Sequence, residues 1–266
     1  MAPIRIDRAD DSRIAAFRDV RERDLVGRLG LFVAEGAVVL RSLVAPSSLC
    51  DIEAVLIDER RQAALADVET VLAGRAPVYS ASQGLLDEIA GFPLHRGILA
   101  MGRVPPSVRL DAAVGRGPTT VLVISGVGNH DNMGALMRNA AAFGVDAVVL
   151  DDGCCDPFYR KALRVAVGAT FALPIVRGGP IRDLLGDLQA RAVETLALSP
   201  SGRESLKTLK VSARRALVVG AEGPGLPADV LAGIRSVRID MRAGFDSLNV
   251  ATSAAIALHG LTLTKS

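Results

Sequence analysis

Apolar and polar residues fall into blocks along this chain, and the period of the blocks switches between strand and helix. Residues 121–124 (VLVI) are an unbroken apolar run, as expected of a strand buried on both faces of a parallel sheet. Turn formers follow at Asn129, Asp131 and Asn132. Leu136, Ala140 and Phe143 then recur at helical steps of four and three, and Gly144 stands where the helix would stop. Residues 216–227 repeat this grammar, a short apolar strand running into a glycine-rich turn that carries Glu222. Residues 237–260 repeat it again, from VRIDM through a polar loop into an alanine-rich helix beginning near Leu248.

Upstream, residues 10–28 carry an imperfect apolar stripe (Ile14, Phe17, Val20, Leu25) and predict a helix. Strands are expected at 31–34, 52–57, 77–79 and 97–104. Helices are expected at 37–44, from 58 through 73, and from the N-cap Ser82 to near Gly91. Such alternation over residues 1–103 describes a small α/β domain. Residues 104–118, with three prolines and two glycines, read as a linker. Residues 119–266 hold about six strand–helix repeats, with strands at 120–124, 146–150, 171–176, 193–198, 216–220 and 236–241. This predicts a parallel sheet covered by helices. Chain physics alone favours an unknotted, doubly wound form of it.

Half of the 266 residues are hydrophobic, enough for a sizeable core, yet no apolar run approaches the ~18–20 residues that span a bilayer. The charged N-terminus lacks the apolar stretch of a signal peptide. Cys50, Cys154 and Cys155 have neither metal-ligand spacing nor the count of a disulfide framework, which fits a reducing cytoplasm. The net charge of +2 conceals a division. Residues 1–103 hold 13 arginines against 15 acids, and the remainder hold 18 basic residues against 14 acids. Basic groups cluster at Arg13, Arg18, Arg21, Arg23 and Arg28; at Arg160, Lys161 and Arg164; and at Arg203, Lys207, Lys210, Arg214 and Arg215. Each reads either as a solvated face or as a contact to phosphate. With no tryptophan and two tyrosines, extensive base stacking is not expected.

The loop GVGNHDNMG is not a dinucleotide fingerprint, because counting from Gly126 and Gly128 puts Asp131 where the third glycine belongs. No Walker lysine follows any glycine loop, and His95, His130 and His259 are scattered without ligand spacing. No metal is expected.

Taken in order, NHDNMGALMRNAAAFG, GAEGPGL and IDMRAGFDSLNVATSAAIALHG resemble the three signature motifs of the SpoU (TrmH-like) RNA ribose 2′-O-methyltransferases of the SPOUT superfamily. The tetrapeptide SLNV at 247–250 is the most telling piece. The segment RLGLFVAEGAVVL resembles the ribosomal-protein-like substrate-binding domain that precedes the catalytic domain in many of these enzymes. Glu35 in it reads as a carboxylate at a strand-to-helix junction.

The resemblance implies an N-terminal RNA-binding domain (1–103), a linker (104–118) and a trefoil-knotted methyltransferase domain (119–266). It implies S-adenosyl-L-methionine as cofactor and a homodimer with its active site against the partner chain. Ribosomal RNA is the substrate it favours. Transfer RNA is the alternative, and a catalytically idle RNA-binding factor is a second reading. Carried over residue by residue, Leu198, Gly220, Ile239, Met241 and Leu248 hold the cofactor. Asn132, Arg138, Glu222, Ser247 and Asn249 form the catalytic set, with Asn132 and Ser247 readable also as helix caps. Arg138 is the family's catalytic arginine. A guanidinium is a poor base, so stabilising developing negative charge suits it better, and Glu222 is the alternative proton acceptor. Two positions depart from the family pattern: Ala166 where a serine is common, and Asp240-Met241-Arg242 in place of Pro-Met.

Overall fold

The computed structural model describes residues 3–18, 22–242, 244 and 247–263, with the backbone alone for 22–24 and 263. Val20, Arg21 and the side chain of Arg23, all singled out above, lie outside the described residues. The chain forms two units, residues 1–106 with 158–172, and residues 107–157 with 173–266.

In the first unit, β1 (Ile4–Arg5), β2 (Leu31–Glu35), β3 (Asp51–Asp58), β4 (Val78–Ala81) and β5 (Ile98–Arg103) form a sheet of order β1-β4-β3-β5-β2. β1, β4 and β3 are mutually parallel, and β5 runs antiparallel to both β3 and β2. The helices are α1 (Glu22–Leu29), α2 (Ala37–Val44), α3 (Ala66–Leu72) and α4 (Gln83–Ala90). The single helix expected over 10–28 is instead a 3₁₀ segment, Ser12–Phe17, followed by α1. Ser82 caps α4 as its sequence position predicts, and Gly91 ends that helix in the left-handed region.

One core of this unit gathers Ile6, Ile14, Leu56, Leu86 and Leu99. Elsewhere in the unit Phe32 is fully buried. Its ring stacks on Phe171 and tilts against Phe158, with centroids 5.2 Å away in both cases. Gly102 on the paired strand makes this possible, because a Cβ there would lie 2.4 Å from the ring of Phe32. Phe158 and Phe171 flank α7 (Arg160–Ala166), a helix distant in sequence from the rest of the unit. Ser42 Oγ donates to the Val167 carbonyl at 3.2 Å, and Leu49 N–H donates to the Phe171 carbonyl at 2.7 Å.

The second unit contains α5 (Leu110–Val114), β6 (Thr119–Ile124), α6 (His130–Ala142), β7 (Ala147–Leu150), β8 (Ile175–Arg177), α8 (Ile181–Ala190) and β9 (Glu194–Leu198). It continues with β10 (Glu204–Ser205), β11 (Arg214–Val219), α9 (Ala228–Gly233), β12 (Arg235–Arg238) and α10 (Val250–Leu263). Its seven strands are all parallel, in the order β10-β12-β9-β11-β6-β7-β8. Every residue of β6 is buried, as its apolar run predicts. Two strands are shorter than expected. Residues 169–172 form a 3₁₀ turn of the first unit, so β8 begins only at Ile175, and β12 stops at Arg238. From Ser107 onward, the stretch read as linker packs into this unit, since α5 buries Val114 in its core and Val108 N–H bonds the Ile175 carbonyl.

Two features tie down the far end of this sheet. Gly202, in the loop after β9, touches β12 so closely that a Cβ would lie 2.3 Å from the carbonyl carbon of Val237. Arg215 on β11 is 2% exposed and donates to the Leu261 carbonyl at 2.7 Å, which anchors α10 from beneath. Burial pulls its guanidinium below the ordinary arginine range, against the pull of Asp146 and Glu194. Among the described residues no helix is long and apolar enough to cross a membrane.

Emptying the aromatic cluster tests the division of the chain. Phe32→Ala should destabilise the first unit by about 3–5 kcal/mol, the usual range for a buried aromatic. Urea unfolding followed by circular dichroism and by exchange of the 158–172 amides should show the loss in both. Unchanged protection of 158–172 would mean that this segment does not depend on the cluster.

Candidate functional site

The parallel sheet delivers the carboxyl ends of β9, β11 and β12 to one side, the position where open α/β sheets bind ligands. The loops leaving those strands, together with the first turn of α10, enclose a cavity of about 590 Å³. All five residues assigned to a cofactor line it: Leu198 after β9, Gly220 after β11, Ile239 and Met241 after β12, and Leu248 before α10. Glu222, Ser247 and Asn249 line it too. The sequence reading missed Ser199, Pro200 and Ser201, which form another part of the wall. Their only signal is the turn-forming run SPSG at a strand exit.

Gly220 owes its identity to the loop itself. A Cβ there would lie 2.5 Å from both the Gly225 carbonyl carbon and the Leu226 nitrogen. The loop doubles back through Gly223 and Gly225, both with positive φ, and closes with Gly225 N–H on the Ala221 carbonyl at 3.1 Å. Glu222 is carried at the exposed tip of this turn.

One side chain joins the three motif segments. Asn249 Oδ1 accepts from the Ala251 and Thr252 amides at 2.9 and 3.2 Å and so caps α10. Its Nδ2 donates to Asn132 Oδ1 and to Glu222 Oε1, each at 2.8 Å. Backbone N–H groups can only donate and an ionised carboxylate can only accept, so these partners fix which way the amide points. Asn132, 7% exposed in α6, has its Oδ1 engaged, while its Nδ2 has no partner among the described residues. The capping alternative for Asn132 and Ser247 is overturned. Asn129 caps α6 through bonds to the Asp131 and Asn132 amides, and Asn249 caps α10.

Arg138 stands apart. It is exposed on α6, does not line the cavity, and makes no hydrogen bond or ion pair among the described residues. Packing of α6 on α10 sets its position: Asn139 Nδ2 donates to the Ala251 carbonyl at 2.7 Å, and the rings of Phe143 and His259 meet edge-on at 5.9 Å. His259 makes this contact from an exposed position on α10. Leu248 and Ile256 remain 40% exposed. The third basic cluster divides by role: Arg214 is spent on the carbonyls of Gly117 and Arg191, Arg215 is buried, and Arg203, Lys207 and Lys210 stay in solvent.

Thiol chemistry is disfavoured. Burial pushes Cys50 and Cys154 up to about 12 and Cys155 up to about 11, far from the thiolate needed of a nucleophile. Among the described residues no cluster of His, Cys, Asp or Glu is arranged to hold a metal ion.

Comparison with known proteins bears on this geometry. The family model described as the SpoU rRNA Methylase family matches residues 119–259. An uncharacterized tRNA/rRNA methyltransferase of Mycobacterium tuberculosis is 42% identical, over 95% of this chain and 89% of that protein. The 23S rRNA (guanosine-2′-O-)-methyltransferase RlmB of Bordetella pertussis is 31% identical, over 84% and 92%. Among solved structures, the AdoMet-bound rRNA methyltransferase from Sinorhizobium meliloti superposes with a TM-score of 0.83 at 20% identity, covering 98% of each chain. The AviRb methyltransferase from Streptomyces viridochromogenes, in complex with AdoMet, gives 0.79 at 21% identity, covering 96% and 98%. At such identities the structures speak for the fold.

Asn249→Asp tests the junction without removing the cap, since Asp accepts from the same amides. It replaces the donor with a carboxylate facing Glu222, and should cost about 1–3 kcal/mol in stability. Far-UV circular dichroism should be unchanged while the amides of residues 221–226 exchange faster. Equal exchange in both proteins would show that the loop does not depend on this bond.

Proposed function

The chain belongs to the SpoU rRNA Methylase family, and we propose that it transfers a methyl group from S-adenosyl-L-methionine to the 2′-hydroxyl of a ribose in RNA. The observation that carries this reading is the meeting of the three motif segments at Asn249, on the rim of a cavity of about 590 Å³. The cavity fits the cofactor in size and in chemistry. Leu198, Ile239, Met241 and Leu248 supply apolar wall, and the folded-back turn 220–226 supplies main-chain donors and acceptors without side chains in the way. When bound, the cofactor supplies a sulfonium-activated methyl group.

What is left to the protein is to orient the ribose hydroxyl, take its proton and stabilise the charge that develops. Glu222 is the proton acceptor, and Asn249 holds its carboxylate through Oε1. Asn132, positioned by the same amide, offers its free Nδ2 to the nucleotide, and Ser247 offers a hydroxyl at the rim. Arg138 stabilises negative charge on the alkoxide or the neighbouring phosphate; a guanidinium does not act as a base at ordinary pH.

Within one chain Arg138 is not on the cavity. Its exposure, with that of Leu248 and Ile256, supports an isologous homodimer through α6 and α10 in which the partner completes the site. Membership of the SpoU family supports a trefoil knot in the second unit. The first unit, residues 1–106 with 158–172, is the RNA-binding domain. Ribosomal RNA is the preferred substrate, the class named for the Bordetella relative, and transfer RNA is the alternative. The enzyme works in the cytoplasm.

Arg138→Ala should lower methyl transfer to RNA by about 100-fold or more, the range for losing a charge-stabilising group. Melting temperature and cofactor affinity by calorimetry should hold. Arg138→Lys should recover little, because the planar fork is lost. Full activity in either variant would remove Arg138 from the mechanism. Sedimentation at micromolar concentration should show a dimer; a monomer with full turnover would reject the shared site.

A further inference from the structure

The mechanism leaves unused the loop after β7, whose first residue, Asp151, is half-buried and bonds across to the loop after β6. Its Oδ2 accepts from Ser125 Oγ at 2.6 Å, and its Oδ1 accepts from the Gly126 amide at 2.9 Å. Oδ1 also accepts from the Gly153 amide at 3.0 Å, and Cys154 Sγ lies 3.3 Å from it. Among the described residues Asp151 forms no ion pair, so neutral donors rather than a cation satisfy this carboxylate.

The main chains of the two loops are joined as well. Asp151 N–H donates to the Ile124 carbonyl at 3.2 Å, and Cys155 N–H donates to the Val127 carbonyl at 2.9 Å. The loops touch so closely that a Cβ on Gly153 would lie 3.1 Å from the Gly126 Cα. Gly126 turns the chain with φ +67°, a region open to glycine without steric cost. Ser125 and Val127 on either side of it are buried. Just beyond this turn Asn129 caps α6, the helix that carries Asn132 and Arg138. Residues 125–128 themselves stand off the cavity wall.

We propose that Asp151 is a positioning residue for methyl transfer. It lies off the cavity and acts through α6. Its carboxylate holds a side chain and an amide of two consecutive residues, Ser125 and Gly126, and so fixes the path of the turn. The turn decides where Asn129 can cap α6, and the start of that helix decides where Asn132 stands. Asn132 in turn meets Asn249, the amide that also holds Glu222. A displaced turn would pass its error to the whole first turn of α6, and in-line transfer tolerates little misalignment. This role rests on the RNA methyltransferase reading and adds to it a residue that none of the three motifs contains.

The test uses the full chain, tritiated S-adenosyl-L-methionine and total RNA from cells lacking this protein. Asp151→Ala should lower turnover by about 10- to 100-fold, the upper figure being the cost of a misplacement of ~1 Å. The KM for S-adenosyl-L-methionine should stay within about twofold, because the loss falls on alignment and not on cofactor binding. Asp151→Asn should recover turnover to within about threefold of wild type. Its oxygen accepts from the same two amides, and its Nδ2 donates to Ser125 Oγ, which accepts as readily as it donates. Hydrogen exchange gives a readout independent of activity: the Gly126, Asp131 and Asn132 amides should exchange faster in Asp151→Ala and return to wild-type rates in Asp151→Asn. If Asp151→Ala does not fold, Ser125→Ala removes one bond to the same carboxylate and should lower turnover about fivefold. Wild-type turnover in Asp151→Ala, or in Ser125→Ala where that variant stands in, overturns the role. So does an Asn variant no better than Ala, or a KM that rises in step with the loss of turnover. A wild-type protein that neither binds S-adenosyl-L-methionine nor methylates RNA overturns the functional reading and this role with it. Transfer by wild type with no change in the variants overturns the role alone.

Discussion

The site depends on a single amide. Asn249 has two donors and two acceptor positions, and the structure uses all of them at once, for the α10 cap, Asn132 and Glu222. A side chain with this many obligations has one orientation, and the segments it joins lie 117 and 27 residues away from it in the chain. Each bond is worth only about 1 kcal/mol. Their value lies in register: the helix begins where the amide can cap it, and the carboxylate of Glu222 stands where the amide can reach it. The cavity wall is built from the loops on either side of this point.

The glycines around the cavity serve the same end by sterics. Gly220 lets the loop after β11 fold flat on itself, and Gly202 lets another loop lie against β12. Any side chain at either position would push backbone from backbone. Main-chain packing this tight leaves little freedom to the loops that line the cavity, which suits a reaction in which alignment is most of the protein's task.

The first unit is assembled by a different constraint. Its aromatic cluster draws two rings from residues 158–172, so a segment in the middle of the catalytic stretch of sequence is part of another core. The tight turn at Val167 and Gly168, both with positive φ, brings Ser42 against it; a Cβ on Gly168 would lie 2.5 Å from that of Ser42. The boundary between the units is therefore crossed by the chain more than once. A cut near residue 104 would leave Phe158 and Phe171 without Phe32.

Much of this was legible from the order of residues. Buried parallel strands announce themselves as apolar runs, so β6, β7, β9 and β11 were found within a residue or two. The three motif loops were found because polar, glycine-bearing turns follow apolar runs there and match the family motifs in order, and the residues assigned to the cofactor through that resemblance all reached one cavity. What sequence could not decide was anything set by contacts between distant segments. Asn129 and Asn249 took the capping roles open to Asn132 and Ser247, because capping depends on where the first turn begins in space. Helix α5 emerged from a proline-rich stretch read as linker, since burial of Val114 outweighed its composition. Residues 158–172 joined the first unit because Phe32 offered a buried face that their local pattern does not reveal. Local periodicity fixes which face of an element is apolar; only the folded chain decides which other apolar face meets it.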